Sequence, residues 1–170
     1  MWTWIPAFLA ASSARALGAT AVQAFAFAAI AMGALGSVWG GWMADRRGRA
    51  FVVNLSMALS GGCALVVGLF FTSSIALLLP LVLVWGFFIV SDSAQFSAMV
   101  TEVTPADSVG TALTLQTSLG YLISMSTIHA VPAIVQGPGW PWAFCALSIG
   151  PALGILAIRN MTKFRRTSVT

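Results

Sequence analysis

The sequence predicts an all-helical bundle embedded in a membrane, and three observations lead there. Hydrophobic residues fill 59% of the 170 positions and charged residues only 7%, against roughly 25% charged in a soluble domain. Mean hydropathy is +0.94. The apolar residues gather in uncharged runs of about 20, the length that crosses a hydrocarbon layer of ~30 Å, and nearly every charge stands at the end of a run.

Taken in chain order, the opening segment 2–11 is apolar but covers only about half a bilayer at ~1.5 Å per residue. It reads as a partial helix whose beginning is missing. A secretory leader is the rival, since Ala14-Arg15-Ala16 has the form of a cleavage site, but no basic residue precedes the apolar run. The first complete span is 21–42, closed by charges from Asp45 to Arg49, and the second is 51–71, ending at Thr72-Ser73-Ser74. The third, 75–97, contains a single charge, Asp92, and gives way to a polar connection with Pro105 and Asp107 that reads as a loop. The fourth, 111–135, is separated from the fifth, 142–158, by Gln136-Gly137-Pro138-Gly139, and a basic tail, 159–170, follows. The whole chain is one membrane domain of five complete helices and one partial helix.

The net charge of +4 and pI near 10.1 do not signify nucleic-acid binding, because the basic residues cap apolar runs and form no stripe along a helix. They fix orientation instead. Arg46, Arg47, Arg49, Arg159, Lys163, Arg165 and Arg166 fall on one side of the predicted spans and Arg15 alone on the other. Cytoplasmic loops retain Lys and Arg, so the Asp45 loop, the Glu102 loop and the C-terminus are expected to be cytoplasmic in a plasma membrane, a bacterial inner membrane in particular. Trp39 and Trp42, and Trp140 and Trp142, stand near span ends, where indoles favour the headgroup zone. Trp85 lies mid-span and is read as packing, with cavity lining as the alternative.

Gly33, Gly36, Gly40 and Ala44 recur at three- and four-residue spacing, which places small residues on one helix face and lets another helix approach closely. Cys63 and Cys145 lie inside spans without metal-ligand spacing. Neither a disulfide framework nor a metal or cofactor site is expected.

The charge cluster is more specific. Gly41-x-x-x-Asp45-Arg46-x-Gly48-Arg49 resembles the signature loop of the major facilitator superfamily, departing from it at the last position, where Ala50 replaces Arg or Lys. Glu102-x-x-Pro105-x-x-x-Val109-Gly110 is similar to a cytoplasmic segment of some members, with Val109 in place of the expected arginine. Four complete spans and a basic tail follow the loop, so the chain resembles the C-terminal half of a twelve-helix transporter, from late helix seven onward. The resemblance implies alternating access around a midplane site, with a small polar solute or organic ion as substrate and protons as a candidate coupling ion. The expected partners are the lipid bilayer and an N-terminal half or a second copy.

Within that frame Asp45, Arg46, Arg49 and Glu102 are read as a cytoplasmic latch of charge-assisted hydrogen bonds, with Gly41 and Gly48 as the glycines of the signature loop. The alternative is that they only enforce topology. Asp92 is the one acid inside a span, which makes it a functional candidate by cost alone, and Gln95 shares its face three residues on. A structural, hydrogen-bonded role for Asp92 is the competing account. On the fourth span Gln116, Gly120, Ser124 and Thr127 make a polar small-residue face flanked by Tyr121, suited to a cavity or a helix contact. His129 stands ~27 Å along its helix from the cytoplasmic end, against ~8 Å for Asp92, so the two cannot share a proton and it is read as structural.

No phosphate loop, catalytic triad or metal constellation is present in the sequence, and an enzyme is not expected. Two further readings stand beside the transporter: a truncated, non-transporting remnant or interaction partner, and a half-size carrier that pairs with itself.

Overall fold

The chain is described by a computed structural model covering residues 1–167, with side chains through Arg159. The side chains of Lys163, Arg165 and Arg166 in the basic tail lie outside the described residues. Among the described residues the regular structure is entirely helical: α1 (Ile5–Ala11), α2 (Ala19–Arg47), α3 (Arg49–Val67), α4 (Ile75–Ser91), α5 (Ser93–Val103), α6 (Val109–Gln136), α7 (Trp140–Leu147) and α8 (Ile149–Thr167). Short 3-10 turns at Ser13–Leu17 and Gly68–Phe70 complete it. Five stretches are long and apolar enough to cross a membrane: Ala19–Arg47, Arg49–Phe70, Ile75–Val103, Val109–Gln136 and Trp140–Arg159. The third and fifth are each made of two helices in succession.

Helix ends follow local chemistry. The Ser74 hydroxyl accepts from the Ala76 N–H at 3.3 Å and opens α4, a side-chain N-cap. The chain turns from α2 into α3 at Gly48, whose φ of 86° lies where a side chain is strained. The break between α7 and α8 falls at Ser148, three residues before Pro151, which supplies no N–H to the preceding turn. No proline stands at the corresponding break between α4 and α5, which occurs at Asp92.

The largest helix interface is the α2–α4 seam, and it is a backbone contact. A Cβ placed on Gly33 would lie 2.7 Å from Val90 Cγ2, and one on Gly40 would lie 2.6 Å from the Ser91 carbonyl oxygen. At Gly36 it would overlap the Phe87 carbonyl, and at Gly86, from the other side, the Ala29 carbonyl. Only glycine permits this approach, and in lipid such close packing replaces the hydrophobic drive that water would supply. On another side α3 packs against α8, where Pro151 comes within 3.1 Å of a Cβ built on Gly61.

An aromatic cluster occupies the bundle end that contains Thr72. Ile5, Phe8 and Leu9 of α1 are fully buried. The Phe8 ring lies 5.4 Å from Phe71, 5.8 Å from Trp140 and 5.1 Å from Phe144, and Phe144 lies 4.9 Å from Trp85. Edge-to-face contacts of this kind are favourable beyond the area they bury. Trp85 is thus a packing residue, and the short α1 is sewn into the core. A Ser13 N–H donated to the Phe71 carbonyl at 3.2 Å ties the segment after α1 to the residue that follows the Gly68–Phe70 turn.

Candidate functional site

The signature cluster sits at the opposite end of the bundle, around the Gly48 turn. Arg49 is the first residue of α3 and Glu102 the last but one of α5. Each is disfavoured by its own helix dipole, a cation at a positive end and an anion at a negative end. Their pairing offsets both: Arg49 Nε donates to Glu102 Oε1 at 2.6 Å. The same guanidinium donates through Nη1 to Gln95 Oε1 at 3.0 Å. Gln95 and Glu102 are seven residues apart, two turns on one helical face, so a single arginine clamps that face of α5. The ion pair is open to solvent, with side chains 34% and 57% exposed, whereas Gln95 is buried.

The other members of the cluster do not join this clamp. The Arg46 guanidinium lies 4.0 Å from the centroid of the Trp42 ring and that of Arg47 lies 5.8 Å from the Phe51 ring. These are cation–π placements at exposed positions. Asp45 makes no side-chain hydrogen bond or ion pair among the described residues. It lines a cavity of about 580 Å³ together with Arg49, Glu102, Phe96, Val103 and Ile158. Gly41 faces open space, with nothing within 4 Å of a Cβ built there.

Gln95, grouped by spacing with Asp92, is engaged by Arg49 instead. Asp92 lies half-buried at the α4–α5 break and accepts a long hydrogen bond, 3.4 Å, from the Ser93 hydroxyl. The fourth-span candidates stand apart from both. On α6 the His129 Nδ1 is 2.8 Å from the Met125 carbonyl, a bond within its own helix. Tyr121 is 71% exposed, and Gln116 Oε1 is enclosed without a partner. The main packing of α6 is against its chain neighbours α5 and α7, and on its polar small-residue face a Cβ built on Gly120 meets nothing within 4 Å. Among the described residues no group of three or more His, Cys, Asp or Glu side chains could hold a metal ion, and the thiols of Cys63 and Cys145 are unbridged.

What spacing missed is the role of Gln95. The signal was there in the seven-residue interval between it and Glu102, which only becomes informative once an arginine from another helix is known to face it.

Comparison with known proteins gives one informative likeness. The chain is 30% identical over 138 residues to an uncharacterized MFS-type transporter, YfnC, of Bacillus subtilis (strain 168). The match takes in 79% of this chain and 32% of that protein, so the chain spans about a third of the length of the relative. No protein-family profile matches, and neither does any solved structure.

Proposed function

We propose that the chain is the C-terminal bundle of a secondary transporter of the major facilitator type, which moves a small polar solute or organic ion across the plasma membrane by alternating access. The observation that carries this function is the Arg49 clamp: one guanidinium from the signature loop holds both Gln95 and Glu102 of α5. The likeness to an MFS-type transporter over 138 residues supports it, and so do five helices able to span a membrane. The Gly48 turn and the C-terminus face the cytoplasm, as the distribution of Lys and Arg requires. Catalysis has no part in it.

Alternating access needs a contact that forms in one state and breaks in another. An exposed ion pair suits this, since its net worth is only about 0–1 kcal/mol, and a buried neutral partner keeps the arginine aimed while Glu102 is released. Asp92, an ionisable group inside a span, is the position for a coupling proton. A second bundle completes the machine: an N-terminal half, or a second copy of this chain. The bare face of α6 favours such a partner.

The test is accessibility. Single cysteines at Tyr121 and Leu122, both exposed on α6, are labelled from each side of the membrane with an impermeant maleimide. Arg49→Ala is expected to shift the ratio of inside to outside labelling severalfold, and an unchanged ratio would leave the clamp a static contact. Asp45→Ala in the same background reports whether the unpaired carboxylate takes part in closure. The intact mass of the native protein separates a two-bundle transporter from a self-pairing half.

A further inference from the structure

We propose that the groove between α1 and the start of α2 holds one anionic phospholipid, its phosphodiester on Arg15 and the upper part of an acyl chain along Ala10 and Ala7. The site requires only that the bundle lie in a bilayer, whichever way it is oriented and whether or not it transports.

The groove encloses about 350 Å³, within the ~300–1,000 Å³ typical of small-molecule sites. It belongs to the bundle end where Ser13 is tied to Phe71, opposite the Gly48 turn. Arg15 lines it and is exposed, and its guanidinium makes no hydrogen bond or ion pair among the described residues. The four acidic residues of the chain are Asp45, Asp92, Glu102 and Asp107, and none of them lines the groove. The sequence beyond Arg159 adds no acid, so the positive charge here does not depend on it. A guanidinium presents a planar fork that matches two phosphate oxygens. Beside it α2 opens at Ala19 without a side-chain cap, and the positive end of that helix dipole adds to the attraction.

The second polar group is Gln23, exposed on α2 and without a hydrogen-bond partner among the described residues. An unpaired amide in hydrocarbon is costly, so this side chain calls for a partner in whatever fills the groove. Four residues at ~1.5 Å each put it ~6 Å below the start of α2. A glycerophospholipid presents its groups in the same order: phosphate outermost, ester carbonyls next, hydrocarbon below. The rest of the wall suits hydrocarbon. Ala7 and Ala10 of α1 and Ala19 of α2 carry only methyl groups, so the trough reaches down to Val22, which is buried. The ammonium of a zwitterionic headgroup would meet no acid here, and an inorganic anion would leave the apolar wall unused. One negative charge on an acyl-bearing headgroup engages the arginine, the amide and the trough together.

The experiment places the full chain in phosphatidylcholine nanodiscs with a small fraction of phosphatidylglycerol that carries a diazirine in its acyl chain, and maps the photolabel by peptide sequencing. Saturable labelling within residues 6–23 is expected, competed by unlabelled phosphatidylglycerol and not by inorganic phosphate. Arg15→Gln should weaken it about tenfold, the loss of one charge-assisted contact. Ala10→Trp should weaken it by filling the trough while leaving the charge in place. The same diazirine on phosphatidylcholine should label residues 6–23 severalfold less, while still marking the exposed side chains of α6 in any inserted bundle, which separates a failed site from failed insertion. Equal labelling of Arg15→Gln, indifference to Ala10→Trp, or equal labelling of residues 6–23 by the two lipids would each overturn the site. Competition by inorganic phosphate would make it a site for a free anion and refute the lipid. If the native protein extracted from its membrane proves longer than this chain and takes no label at these residues, another of its segments covers the groove and the lipid site is refuted. Circular dichroism of both variants distinguishes lost binding from lost fold.

Discussion

The Arg49 clamp predicts an inversion of the usual expectation: the neutral partner should couple to the arginine more strongly than the charged one. Glu102 is 57% exposed and Arg49 34%, so their Coulomb attraction is screened by water and costs two long side chains their freedom, leaving about 0–1 kcal/mol. Gln95 is only 3% exposed, and a hydrogen bond from a charged donor contributes ~1.5–3 kcal/mol when buried. Because the donor itself is a third open to solvent, about 1–2 kcal/mol is the expected range for this bond. Two double-mutant cycles separate the terms, Arg49→Met with Gln95→Met and Arg49→Met with Glu102→Met, each read as unfolding free energy by steric trapping in bicelles. Salt provides a second axis. Raising the ionic strength from about 0.1 M to 1 M shortens the Debye length from ~10 Å to ~3 Å, which should erase most of the Glu102 coupling and leave that of Gln95. A Glu102 coupling larger than that of Gln95, or a Gln95 coupling that falls equally with salt, would refute the assignment of Gln95 as the anchoring partner.

Three further predictions concern the scaffold. Gly36→Ala drives a methyl group into the Phe87 carbonyl and to within 2.8 Å of Ser91 Oγ, so it should destabilise by about 1–3 kcal/mol, as overpacking does; Gly41→Ala meets nothing within 4 Å and should be neutral or stabilising by up to about 1 kcal/mol, both read by the same unfolding assay. Phe8→Ala empties a fully buried position ringed by Phe71, Trp140 and Phe144 and should cost about 3–5 kcal/mol, with loss of the near-ultraviolet signal from Trp85 and Trp140 as its signature.

The spans were legible because in a membrane the sequence has to announce them: an uncharged run of about 20 residues has few other uses. Their ends were less so. The helical stretch of the third span runs to Val103, six residues past the predicted end at Ser97, because hydrogen bonding ends a helix and hydrocarbon does not. The glycine face of α2 was readable from spacing, but its target was not, since nothing in the residues from Gly33 to Gly40 names α4. The charge cluster divided in a way that its composition concealed. Arg46 and Arg47 are adjacent and so lie about 100° apart on a helix. Each reaches a ring four residues away, Arg46 back to Trp42 and Arg47 forward to Phe51, and Arg49 alone turns inward after Gly48. The docking of α1 was illegible for a different reason: the ring cluster that receives Phe8 is assembled from segments more than sixty residues distant, Phe71 and Phe144 among them.

These features divide the third span into two parts with different duties. In α4, Leu78, Leu79, Val82, Trp85, Gly86 and Ser91 are buried, and the Gly36 and Gly86 contacts bring its backbone against that of α2. In α5 only Gln95 is buried. Local opening is easiest where few side chains are buried, and α5, with Gln95 alone buried, is far less anchored in the bundle than α4. What holds α5 against α3 is then the pair of bonds from Arg49, one buried and persistent, one exposed and readily exchanged for water. The Gly48 turn thereby contacts a sparsely buried segment, and an arginine placed immediately after a glycine of positive φ is what lets the turn reach it.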